Sequence, residues 1–355
     1  MTDNDTLREV LVSLAPGTQL RDGLERIIRG RGGALIVMGY GPDVQALCSD
    51  GFEMDVKFSP QRLRELCKMD GAVLLSEPDW RIRRANVQLL PDPSIPTLES
   101  GMRHRTAHRM AVETGVPVIS VSHSLQTIAL YFGSQRYVLE DSRVLLGRAD
   151  QALSTLEKYK SRLEEITATL SALEIEDFVT LRDVALVVQR MEMVRRISFE
   201  IEGYVTELGT DGRLLSMQLD ELIRGTARER TRLLRDYAPR GASLTEMEDA
   251  IQALSATDIM DLSLLGRILQ PGLHGVEGLD LGLHPHGYRM LAKIPRLPFA
   301  VVEALVIHFG EFQALLRASS EDLQEVEGVG PQRANIIHDG LQTVAANASL
   351  LSTFS

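Results

Sequence analysis

From Gly101 to Arg109 the sequence reads Gly-Met-Arg-His-Arg-Thr-Ala-His-Arg, placing three arginines, two histidines and a threonine within nine residues. A proline-rich segment, Pro91 to Ser100, leads directly into it. Ser100 or Gly101 is a candidate cap for a helix running through Met110 and Val112 to Gly115. The cations then fall in the first turns, where they oppose the helix dipole, so local stability does not account for them. An anion held at that terminus does, and the ligand implied is a polyphosphate. The bland alternative is a solvated basic face.

A second group lies some thirty residues earlier. Asp70-Gly71-Ala72 opens an apolar run, Gly71 to Leu75, that reads as a buried strand. A carboxylate there is costly unless it meets a partner or a metal. The small residues beside it let a ligand approach the backbone closely. An acid that can hold a divalent cation, with Arg and His to neutralise phosphate, supplies the groups that phosphoryl or nucleotidyl transfer requires. Nothing matches the P-loop pattern, and Gly30-Arg31-Gly32-Gly33 lacks dinucleotide-fold spacing. His104 and His108 are four apart without a third ligand, so a zinc site is disfavoured.

These residues need a scaffold, and the pattern supplies one. Helical stretches at Leu7–Leu14, Leu20–Ile28 and Pro60–Met69 alternate with short apolar strands at 34–38, 71–75, 82–90 and 116–121, and a hairpin at 128–139 closes the series. This is an α/β N-terminal domain with a mixed sheet, residues 1–148. From Asp150 to Glu202 there is no glycine and leucines recur at helical spacing, and an all-α middle spine is expected over 149–285. Residues 286–355 read as helix, tight turn, helix, twice. Gly328-Val329-Gly330 matches the hairpin of helix-hairpin-helix modules, whose backbone N–H groups suit DNA phosphates. The first turn carries Arg296-Leu297-Pro298 instead and is a candidate for a purely structural copy. Acids outnumber bases in this tail, so a protein-interaction module is its competing reading.

At 355 residues, with a formal charge of -11 and pI near 5.3, the chain is not a generally basic nucleic-acid binder. Its two cysteines, Cys48 and Cys67, lack metal or CxxC spacing. No apolar run reaches membrane-spanning length, and the acidic start is unlike a signal peptide. The expected location is cytoplasmic, without membrane partners.

Asp70-Gly71-Ala72, then Ala85-Asn86-Val87-Gln88-Leu89-Leu90-Pro91-Asp92-Pro93, then Arg103-His104-Arg105-Thr106-Ala107 resemble, in order, the motifs of the diadenylate cyclase family. With the helical middle and the paired helix-hairpin-helix tail, the resemblance spans the whole chain. It implies condensation of two ATP into cyclic di-AMP with release of two pyrophosphates, using Mg2+ or Mn2+. In that role Asp70 binds the metal and activates a ribose 3′-hydroxyl. Gly71 and Leu89 line the nucleotide site, and Met102, Arg103, His104, Arg105 and Thr106 face the triphosphate. It further implies a homo-octamer with face-to-face cyclase domains, and a tail whose Gly328, Gly330 and Arg333 bind branched DNA such as four-way junctions. Met102 stands where the family usually has threonine, Leu98 replaces an aspartate, and His108 replaces a glutamate. The first two imply a weakened cyclase, with a junction-binding protein that senses ATP as the alternative.

Overall fold

The computed structural model describes residues 3–77, 79–239, 241–272 and 276–352. Contacts divide the chain into two units, residues 1–151 with 201–217, and residues 152–200 with 218–355.

The first unit runs α1 (Asp3–Ser13), α2 (Gln19–Arg29), β1 (Ala34–Met38), α3 (Pro42–Ala46), β2 (Cys48–Ser49), β3 (Phe52–Lys57), α4 (Pro60–Leu66), β4 (Ala72–Ser76), β5 (Arg81–Leu89), α5 (Met102–Thr114), β6 (Val118–Ser122), β7 (Thr127–Phe132) and β8 (Gln135–Leu139). The strands form one eight-stranded sheet in the order β2-β5-β4-β1-β6-β7-β8, with β3 also paired to β5. It is mixed, as expected: β1 and β4 are parallel, and β6 lies antiparallel to β1.

Side chains alternate across a strand, and the central strands β1, β4 and β6 are buried on both faces. Ala34, Ile36 and Met38 meet Leu20, Leu24, Ile27 and Leu63 on the face covered by α2 and α4. Leu35 and Val37 meet Ala107, Met110 and Ala111 of α5 on the other. Those three α5 residues sit at i, i+3 and i+4, so one stripe of the helix is committed to the core and the cations fall outside it. Burying Met110 alone contributes about 1.5–3 kcal/mol. Gly115 ends the helix in the left-handed conformation, φ 67°.

Strands β2 and β3 are absent from the sequence expectation. Phe52-Glu53-Met54-Asp55-Val56-Lys57 has only partly buried or exposed positions, so no apolar face marks it. Cross-strand charge contributes instead, with Asp55 taking Arg81 at 2.5 Å and Arg83 at 2.8 Å.

The second unit is helical. It holds most of α6 (Ser142–Glu176) and α7 (Leu181–Leu208), the end of α8 (Arg213–Ile223), then α9 (Thr226–Tyr237), α10 (Leu244–Ala253), α11 (Leu262–Leu269), α12 (Tyr288–Leu291), α13 (Phe299–Phe309), α14 (Phe312–Arg317), α15 (Ser320–Gln324) and α16 (Pro331–Ser352). The tail repeats itself at an interval of 32 residues. Leu291, Ile294, Val302 and Leu305 correspond to Leu323, Val326, Ala334 and Ile337, and all eight share one core. Helices α13 and α16 begin at matching positions, and Val302 N to Pro298 O (3.1 Å) has its counterpart in Ala334 N to Gly330 O (2.9 Å).

A buried polar cluster joins α6, α9 and α12. Both Asp236 carboxylate oxygens accept backbone N–H bonds from the start of α12: Gly287 at 2.7 Å, Tyr288 at 2.6 Å and Arg289 at 2.8 Å. The wholly buried Arg289 guanidinium pairs with Glu174, which also accepts from the Tyr237 hydroxyl at 2.7 Å.

Candidate nucleotide site

Because β1 and β4 are parallel, both begin at the same edge of the sheet, and the antiparallel β5 and β6 end there. Ile36 pairs with Val73, so Gly33 and Asp70 precede neighbouring parallel strands at the same end of the sheet. β4 begins at Ala72 rather than Gly71. Asp70 therefore lies exposed in the bend before the strand, and the expected burial cost of its carboxylate does not arise. Gly71 has φ 94°, and a Cβ there would fall 2.8 Å from the Asn86 carbonyl carbon and the Val87 oxygen. Only glycine lets β4 and β5 approach so closely.

Arg103 reaches this edge from α5. A Cβ on Gly33 would lie 2.2 Å from its Nη1 and 3.2 Å from the Val121 oxygen, so the guanidinium occupies the space over Gly33. Burial pushes the Cys67 thiol up to about 12, with the Arg103 charge acting against it. Arg103 is thus close both to Gly33 and to the segment that leads into Asp70. The acid and the first arginine of the cluster share one edge, a strand apart.

The other basic residues divide their work. His104 accepts or donates at Nδ1 with the Tyr131 hydroxyl, 2.9 Å away, and burial holds its pKa below the ordinary histidine range. Tyr131, on β7, is fully buried; burial and then the Glu99 carboxylate push its phenol up. Glu99 also pairs with Arg136 at 3.4 Å. Arg105 donates from Nε to the Glu99 carbonyl at 2.9 Å, and Arg109 to the Ile95 carbonyl at 3.0 Å, so both strap down the segment that precedes the helix. The Thr106 hydroxyl donates to the Met102 carbonyl at 3.0 Å. The Leu89 side chain is buried in the core on the α5 side. His108 stacks edge-on against Tyr131, its Nδ1 buried and without a hydrogen-bond partner among the described residues. Met102 is 84% exposed at the first position of α5, and Leu98 is fully exposed.

Sequence reasoning passed over Gly33, Glu99, Tyr131 and Arg136. A tyrosine inside the apolar run Ile128–Phe132 is the one usable signal, since a buried phenol needs a polar partner. No group of three or more His, Cys, Asp or Glu side chains forms a metal site among the described residues. The exposed Asp70 carboxylate suits an ion that arrives on phosphate oxygens, because Mg2+ is commonly held by one or two carboxylates plus substrate.

A family model described as DisA bacterial checkpoint controller nucleotide-binding matches residues 21–136, and one described as the DisA bacterial checkpoint controller linker region matches residues 139–275. Proteins called DNA integrity scanning protein DisA are similar over nearly the full length. That of Acidothermus cellulolyticus is 55% identical, covering 98% of this chain and 95% of the relative. That of Beutenbergia cavernae is 57% identical over 98% of each, and that of Streptomyces coelicolor 53% identical over 97% and 93%.

The chain belongs to the DisA family.

Asp70, Gly71 and the Arg103–Thr106 cluster all fall inside the DisA nucleotide-binding region, a diadenylate cyclase domain, so the edge described above lies in the part of the family fold that handles nucleotide. The last residues of the chain lie beyond both matched regions. There, Gly328 takes φ 84° and its carbonyl accepts from Arg333 Nη1, while a Cβ at Gly330 would meet nothing within 4 Å. No described helix is long and apolar enough to cross a membrane.

Proposed function

We propose that the chain joins two ATP molecules into cyclic di-AMP and releases two pyrophosphates. Each ribose 3′-oxygen bonds to the α-phosphorus of the other ATP as the bond to the pyrophosphate leaving group breaks, and each 3′-hydroxyl proton passes by way of the Asp70 carboxylate to solvent. One such edge per chain handles one nucleotide. Two equivalent bonds therefore need two chains facing each other, in keeping with a homo-octamer. The observation that carries this reading is Arg103 lying over Gly33, at the end of β1 where Asp70 leads into the neighbouring β4. Arg103 neutralises the triphosphate there, and His104 offers the ring edge turned away from Tyr131. Mg2+ or Mn2+ held by Asp70 and phosphate oxygens would neutralise developing charge on the leaving group.

The tail, as a tandem helix-hairpin-helix over 286–355, binds branched DNA through Gly328, Gly330 and Arg333, and engagement lowers synthesis. Incubating the full chain with ATP and Mg2+ or Mn2+, with and without a four-way junction, and measuring pyrophosphate and cyclic product tests both halves. ATP binding with neither product would leave a junction-binding protein that senses ATP. The exposed thioether of Met102 favours that second reading, because it offers phosphate no hydroxyl.

Two substitutions probe the site. Met102→Thr is expected to raise kcat/KM about tenfold, since a hydrogen bond to a charged group contributes about 1.5–3 kcal/mol. Steady-state kinetics beside the wild type checks it, and an unchanged value would mean Met102 limits nothing. Tyr131→Phe keeps the buried ring but leaves His104 Nδ1 unheld, so KM for ATP should rise about fivefold at an unchanged thermal midpoint, for a lost hydrogen bond of about 1 kcal/mol. A fall in the midpoint with KM intact would instead assign Tyr131 to packing alone.

A further inference from the structure

Arg296 takes φ 61°, a left-handed conformation that L side chains rarely adopt, and its counterpart 32 residues on is Gly328 at φ 84°. Both turns follow a matched core residue, Ile294 or Val326, and both lead into a helix of at least eleven residues, α13 or α16. The first turn therefore has the backbone of the second without the glycine that makes it cheap. Asn and Asp tolerate this conformation by bonding locally; arginine has no such device. Among the described residues no carboxylate lies within ion-pair distance of Arg296 or Arg333. For stability alone, arginine is a poor choice at position 296. Backbone strain of this kind gathers where a side chain has a task.

The surroundings indicate the task. The two turns line one open groove of about 860 Å³, to which the first contributes Pro295, Arg296 and Leu297 and the second Gly330, Gln332 and Arg333. Arg333 is held there by the bond to the Gly328 carbonyl. No carboxylate lines the groove, although acids outnumber bases in the tail as a whole. Two cations lining one groove in an acidic chain, each turn leading into a helix N-terminus, complement a polyanion.

We infer that Arg296 contacts nucleic-acid phosphate: the two turns act as one clamp, and Arg296 and Arg333 hold the sugar–phosphate backbone of the same duplex. This rests on the proposed DNA binding by the tail and specifies how it is done. The first turn is then a working half of the clamp, and Arg296 supplies a charge that glycine, at the equivalent place, cannot.

The test is Arg296→Gly in the full chain, with binding of a four-way junction followed by fluorescence anisotropy across a salt series. Glycine suits φ 61°, so the thermal midpoint should hold or rise. Affinity should nevertheless fall about five- to tenfold, and the slope of log affinity against log salt should shrink by about one, the signature of one lost phosphate contact. Arg296→Lys should recover most of the affinity and the slope. A gain in stability with a loss in binding is not what a purely structural arginine would give. If Arg333→Ala weakens binding while Arg296→Gly leaves affinity and slope unchanged, the clamp is wrong and DNA binding by the tail stands. If the wild type shows no salt-dependent binding, the DNA reading fails and takes the clamp with it.

Discussion

Asp70→Ala is expected to lower cyclic dinucleotide formation at least about 1,000-fold, because in the proposed reaction one residue both accepts the ribose proton and anchors the metal, and proton transfer alone is commonly worth about 10²–10⁴. The fold should not notice. Asp70 is exposed in the bend ahead of β4 and holds no described ion pair, so the change in stability should stay within about 0.5 kcal/mol. The neighbouring position behaves differently. Gly71→Ala would force a side chain onto φ 94° and against the β5 backbone, damaging fold and activity together. Measuring product by chromatography beside the thermal midpoint separates the two cases. An Asp70→Ala protein that still makes product at the wild-type rate would remove Asp70 from the mechanism.

That contrast shows what the sequence could and could not carry. Ala34–Met38 and Gly71–Leu75 were legible as strands, the second shifted by one residue in the fold, because parallel strands buried on both faces are continuous apolar runs. The cation cluster was legible because helix-dipole physics gives it no local reason to exist. Gly33 was not, since a glycine before a strand reads as a turn, and only the tertiary position of Arg103 shows what it leaves room for. Tyr131 and Glu99 lie 27 and 5 residues from His104, on a strand and a loop, and no periodicity joins them. Arg296 was the most misleading. It breaks the glycine pattern, so the first turn reads as a degenerate copy, yet Leu291, Ile294 and Leu305 impose the same backbone from below. Core packing overrides local preference there.

Arg289→Ala should be the most damaging single change to the helical unit. The guanidinium is 3% exposed and answers Glu174, with Asp236 beside it at the start of α12. Removing one partner of a buried pair leaves uncompensated charge, at a cost of about 3–5 kcal/mol. The deficit should depend on pH, and its sign follows from Asp236. Burial and then Glu174 push that carboxyl up to about 7, against the Arg289 charge and the α12 amides. Its folded pKa thus exceeds its unfolded one, so its contribution is complete below about pH 4 and is lost as pH rises towards 7, by up to about 1.4 kcal/mol per unit. Without Arg289 the carboxyl rises further and the loss continues above pH 7, where the wild type has levelled off. Hydrogen exchange at the Gly287, Tyr288 and Arg289 amides should accordingly show a larger effect of Arg289→Ala at pH 8 than at pH 5, once corrected for intrinsic rates. An equal deficit at both would mean that Asp236 stays ionised throughout, stabilised by its three backbone donors, and that Arg289 answers Glu174 alone.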